Sequence, residues 1–205
     1  MSHRKLLSSA LVEGKLKVEL SKFREYYQAI ENKFQSDKKS IEDMKDSSIY
    51  DDMNEFERDY YNIELHHLDI HRKSCLVTLY SYLESFLNYF CEYLYELNGR
   101  KLKYTDLSGT GIFRARLYLL KVEGVDFDQI NNRWNQIKGF NLIRNNIVHE
   151  SGKVGKDKLI KFIETNENLS INNFDDVRIE SGYIHELIDI IESFILNIHT
   201  QVFIE

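Results

Sequence analysis

Proline is absent from all 205 residues, and glycine occurs only nine times. Proline removes a helical hydrogen bond and clashes with the preceding turn, so its absence permits long uninterrupted helices. Apolar spacing shows where they lie. Val12, Leu16, Leu20, Phe23, Tyr27, Ile30 and Phe34 follow one another at intervals of four, four, three, four, three and four, close to a heptad seam. A second seam, Met53, Phe56, Tyr60, Ile63, His67 and Ile70, also alternates threes and fours. Between them, Gln35 to Ser48 is polar and charged and predicts a turn or loose connection, so the two seams form an antiparallel helical hairpin.

The strongest stripe is Leu76, Leu79, Tyr80, Leu83, Phe86, Leu87, Phe90, Leu94 and Leu97. No Gly or Pro intervenes between Tyr50 and Asn98, so this helix can continue directly from the one before it and ends at Asn98-Gly99. A loop from Thr105 to Gly111 leads into a short helix, Ile112 to Val122, capped by Ser108 or Thr110 and bearing Arg114 and Arg116. Asp126 and Gln129 are spaced as a capping box for a helix from Asp128 to Glu150. Alternating residues around Asn172-Asn173 have the pattern of a tiny hairpin, and a last apolar helix follows Ser181-Gly182. The expectation is an all-α fold, an up-and-down helical bundle with a long N-terminal helical hairpin and a minor β-hairpin near 169–179. Residues 1–72 would be the hairpin extension and 73–205 the helical domain, or the two would form one continuous domain.

The formal charge of −6 gives no overall attraction to nucleic acid, so any RNA contact must be a local basic patch. Cys75 and Cys91 lie on one predicted helix about 24 Å apart, too far for a mutual disulfide. With no signal-peptide pattern and no apolar run of membrane-spanning length, the reading is a cytoplasmic chain without a membrane partner. His67 and His71 have the spacing of a helical metal pair, but no third ligand is fixed by spacing; they read as a partly solvated helix face.

One stretch does not fit the core pattern. In the helix ending at Glu150, Arg144 falls in the apolar sector of Ile130, Trp134, Ile137, Phe140, Ile147 and Val148, while Leu142 and Ile143 make the other side apolar too. Asn141, Asn145 and His149 follow at one-turn intervals beside it. A helix C-terminus favours Arg and His, with Gly152 as the stop. A buried cation next to an imidazole is also the composition of a reactive site. Glu84, on the edge of the strong stripe, is either a boundary carboxylate reaching water or a partner that orients Arg144 or His149. Lys153, Lys156 and Lys158 follow the histidine directly and could hold a phosphate backbone by charge, or simply be a solvated loop.

Arg144-Asn145-x-x-x-His149, on a late helix of a helical chain, resembles the Arg-x4-6-His motif of the HEPN superfamily of all-helical ribonuclease and nucleotide-binding domains. The resemblance covers roughly Leu76 to Glu205. It implies metal-independent RNA cleavage by 2′-OH attack, needing no cofactor, with His149 as acid/base, Arg144 on the phosphate and Asn145 orienting either; Glu84 joins them as a candidate catalytic residue. It further implies a homodimer bringing two motifs together, and a toxin–antitoxin or phage-defence setting with an antitoxin partner. Where such toxins are silenced by modification of a Tyr two residues beyond the His, this chain has Ser151. Arg114 and Arg116 join the three lysines as candidate RNA-binding residues. The competing expectation is a non-catalytic HEPN-like module that binds a nucleotide, RNA or a protein; a third is a purely structural helical adaptor assembled through its N-terminal seams.

Overall fold

The computed structural model describes residues 3–46 and 53–204. The described residues are all-α apart from one small β-hairpin. In order it forms α1 (His3–Asp46), α2 (Met53–Tyr61), a π-helical turn (Asn62–His67), α3 (Leu68–Asn98), a 3-10 turn (Tyr104–Asp106), α4 (Gly111–Lys121), α5 (Asn131–Glu150), α6 (Asp157–Glu164), β1 (Leu169–Ile171), β2 (Val177–Ile179) and α7 (Ser181–Phe203). It divides into two compact units. The first comprises Thr78–Arg144 with the chain up to Leu20 and from Glu186; the second comprises Ser21–Val77 and Asn145–His185.

The expected hairpin is present. In the second unit Glu31 pairs with Arg72, Phe34 lies by His67 and Lys38 pairs with Glu64, so rising numbers on α1 meet falling numbers on the opposite helices. In the first unit the Lys15 ammonium lies 3.8 Å from the Tyr89 ring centroid. The expected loose connection from Gln35 is instead helical as far as Asp46; its last residues, 47 and 48, lie outside the described residues. No Gly or Pro interrupts the chain between Gly14 and Gly99. The polar segment keeps its turns through one-turn pairs such as Lys33 with Asp37, and through Lys38 reaching Glu64.

The second seam is displaced. Phe56 and Ile63 are buried as expected, but His67 is exposed and Ile70 is 63% exposed, while Leu68 is fully buried; the side chain of Met53 lies outside the described residues. The cause is the π-helical turn, in which the Leu68 N–H donates to the Ile63 carbonyl five residues back. One extra residue per turn advances the buried face, so the seam continues through Leu68, Arg72, Cys75, Leu76 and Leu79. Arg178 on β2 stabilises the widened turn by donating to the carbonyls of Glu64 (3.2 Å) and Leu65 (3.4 Å).

A buried ion pair closes the second unit. Arg72 and Glu31 side chains are each 6% exposed and joined at 2.5 and 3.3 Å. Arg72 also donates to the Ile179 carbonyl (3.0 Å), and the Tyr27 hydroxyl donates to Glu31 (3.3 Å). Burial alone would raise the Glu31 carboxyl, but hydrogen bonds and charge from Arg72 hold it below the ordinary range. In the first unit, Phe127, Trp134 and Phe194 form an aromatic cluster, and the buried Glu123 accepts from Asn98, Arg100 and Tyr118. Both cysteines are buried free thiols, and burial pushes Cys75 up to about 12. No helix among the described residues is long and apolar enough to cross a membrane.

Arg72→Met should cost about 3–5 kcal/mol in urea denaturation, because it strands the Glu31 charge, whereas Glu31→Leu with Arg72→Met should recover most of that loss. The depressed Glu31 carboxyl contributes stability above its unfolded titration range and loses it as pH falls, so the wild type should weaken in acid more steeply than the double variant.

Candidate functional site

Helix α5 begins at Asn131, three residues later than its capping pattern suggests, because Asp126 spends its carboxylate on the Asp128 N–H and the Gln129 amide in the turn before it. Its buried side chains are those of Trp134, Ile137, Phe140, Ile143 and Asn146. A step of three residues rotates the face by about 60°, so the covered side turns along the helix and leaves Val148, expected in the apolar sector, 46% exposed.

Arg144 is half-buried, its guanidinium carbon 5.1 Å from the centroid of the Tyr80 ring, which meets Phe140 edge-on at 5.4 Å. Tyr80 is pushed up to about 12 by burial and by the charge of Glu84, against the opposing charge of Arg144. Glu84, half-buried, packs against Gly111: a Cβ there would lie 3.4 Å from Oε1. This sets the carboxylate at the first residue of α4, where unsatisfied N–H groups and the helix dipole favour negative charge. Arg144 and Glu84 therefore both act on Tyr80, which the sequence marks as a member of the strong apolar stripe one turn from Glu84.

The remaining motif residues belong to the second unit. Asn145 is half-buried and His149 exposed. The buried amide is Asn146, whose Nδ2 donates to the Lys153 carbonyl at 2.6 Å while its Oδ1 makes no hydrogen bond. The helix ends in a wide turn in which the Gly152 N–H reaches back six residues to the Asn146 carbonyl (3.2 Å). Ser151, not the expected Gly152, takes the first left-handed position, with φ of 54°; Gly152 follows at 86°. The loop is then stitched to β2 by the Val177 N–H on the Gly152 carbonyl and by a Lys153–Asp176 bridge.

This stitching occupies two candidate lysines. Lys153 donates to the Phe174 carbonyl (2.7 Å) and pairs with Asp176 (3.1 Å), and Lys156 pairs with Glu150. Lys158 is exposed at the start of α6. In the first unit, Arg114 donates to the Gly109 carbonyl, and Arg116 lies over Phe127 and Trp134 at 4.6 and 5.2 Å. These two cations are half-buried and engaged within their own unit. His66 and His67 are exposed, whereas His71 stacks on Tyr27 at 5.3 Å and burial lowers its pKa. Among the described residues no three His, Cys, Asp or Glu are grouped to hold a metal. No protein-family model matches this chain, and no curated protein or solved structure matches it either.

A side chain in the left-handed region costs about 1 kcal/mol, so Ser151→Gly should raise the urea midpoint by a stabilisation of roughly 0.5–1 kcal/mol, offset in part by unfolded-state entropy. An unchanged midpoint would mean that the Ser151 hydroxyl contributes as much as the backbone strain removes.

Proposed function

We propose that this chain is a metal-independent endoribonuclease working as a homodimer, with His149 as its proton-transfer group and Arg144 as its phosphate ligand. The ribose 2′-oxygen attacks the adjacent phosphorus, forming a cyclic 2′,3′-phosphate as the bond to the 5′-oxygen breaks. A base takes the 2′ proton and an acid protonates the leaving 5′-oxygen, giving a 5′-hydroxyl end. One imidazole supplies one of these transfers, and the motif of a second copy supplies the other. The observation that carries this reading is the exposed imidazole of His149 at the end of the helix that also bears Arg144 and Asn145. A toxin or phage-defence setting with an antitoxin partner accompanies this reading.

A second reading, a binding module without catalysis, is favoured by the carboxylate partners of Lys153 and Lys156, which reduce the local basic patch. Lys158 and the helix end then remain as the contact surface.

RNA cleavage should survive EDTA and leave cyclic phosphate or 3′-phosphate ends; 5′-phosphate products or loss of cleavage on chelation would exclude the mechanism. His149→Ala should slow single-turnover cleavage about 10²-fold or more with RNA binding nearly intact, and Arg144→Lys should resemble it, since charge remains but the fork is lost. Lys158→Ala should weaken binding and its salt dependence with little effect on turnover at saturating RNA. Wild-type cleavage by folded His149→Ala would leave only the binding module.

A further inference from the structure

We propose that a pocket in the second unit, between the π-helical turn and the β1–β2 loop, holds one unstacked nucleobase of RNA; its ligand class rests on the nuclease reading. The cavity is about 370 Å³, near the lower end of the roughly 300–1,000 Å³ typical of small-ligand sites, and suits a single nucleotide. Leu65, His66 and Asp69 line one side; Asn173, Phe174 and Arg178 line the other.

Phe174 is the first reason. Its ring is 73% exposed, yet its backbone is fixed. Asn172 Oδ1 accepts from the N–H groups of Phe174 (2.8 Å) and Asp176 (3.0 Å), Asp175 takes φ of 61°, and Lys153 holds the Phe174 carbonyl. A large ring presented to solvent on an ordered loop contributes little to folding and is a platform on which a planar base can stack. Leu65, 45% exposed, adds apolar surface opposite.

The electrostatics select the ligand. Lys73 and Arg178 both face Asp69, at 2.7 and 3.6 Å, and Arg178 is further tied to the carbonyls of the π-helical turn. The cations are therefore compensated, and a bare phosphate finds no surplus positive charge. Asp69 Oδ1 is buried behind Arg178, whereas Asp176, whose Oδ1 faces Lys153, is partly exposed and adds a second carboxylate to the wall. The partly exposed Asp176 carboxylate suits a base carrying an exocyclic amino group, so adenine, guanine and cytosine should be preferred to uracil. The strand that forms one wall is hydrogen-bonded to Gly152, three residues beyond His149, so the pocket and the proposed proton-transfer group share one stitched loop.

The test is a ligand-observed NMR titration of the full chain with AMP, GMP, CMP, UMP and ribose 5-phosphate. The three amino-bearing nucleotides should bind at least about tenfold more tightly than ribose 5-phosphate, with UMP weakest of the four nucleotides. Phe174→Ala should lose about tenfold, as expected for a lost stacking contact, and Phe174→Tyr should retain binding. The exposed ring makes both variants safe for folding, which circular dichroism confirms. Ribose 5-phosphate binding as well as AMP, or Phe174→Ala binding like the wild type, would overturn the pocket. Cleavage is scored separately: Phe174-dependent nucleotide binding without any RNA cleavage removes the nuclease and keeps the pocket, whereas cleavage with Phe174-independent binding does the reverse.

Discussion

The Glu31–Arg72 pair is the constraint on which the second unit depends. Neither group can be left alone at 6% exposure, because an unpaired buried charge costs several kcal/mol. Arg72 therefore fixes α3 against α1 through Glu31 and against β2 through the Ile179 carbonyl. Tyr27 completes the arrangement by donating to Glu31 and to the Ser181 carbonyl, which ties the start of α7 to the same point. One guanidinium thus sets the register of two helices and the hairpin.

A second arginine does comparable work on a turn rather than a helix pair. Arg178 gives hydrogen bonds to the carbonyls of Glu64 and Leu65, where the backbone widens to a π-helical turn. That turn shifts the buried face from His67 and Ile70 to Leu68 and Arg72, which brings Arg72 inward to meet Glu31. The ion pair and the widened turn are consequently one device. Its outer face, with Phe174 on the adjoining loop, is the pocket wall.

The motif helix shows how far a periodic reading extends. Ile130, Trp134, Ile137 and Phe140 are buried as their spacing suggests, and Arg144 is indeed half-buried. Beyond Phe140 the pattern fails, since Asn146 is buried and Val148 is exposed. The reason is tertiary: the Asn146 amide is needed to hold the Lys153 carbonyl, and no local rule separates it from its neighbour Asn145. Glu84 was legible as an edge carboxylate, but its place beside Gly111 depends on a loop whose path no helical periodicity describes.

Local pattern alone specifies the helical class, the hairpin of α1 against the α2–α3 segment, the small hairpin near 169–179 and the apolar face of α7. Those follow from the absence of proline and from spacings of three, four and two, which are local properties of the chain. Folding adds that α1 runs on to Asp46, that the second seam changes register at Asn62–His67, and that Lys153 and Lys156 face carboxylates. Glu64 for Lys38, Arg178 for the π-helical turn and Asp176 for Lys153 are partners distant in sequence, and pairings of that kind leave no period in a single chain to read.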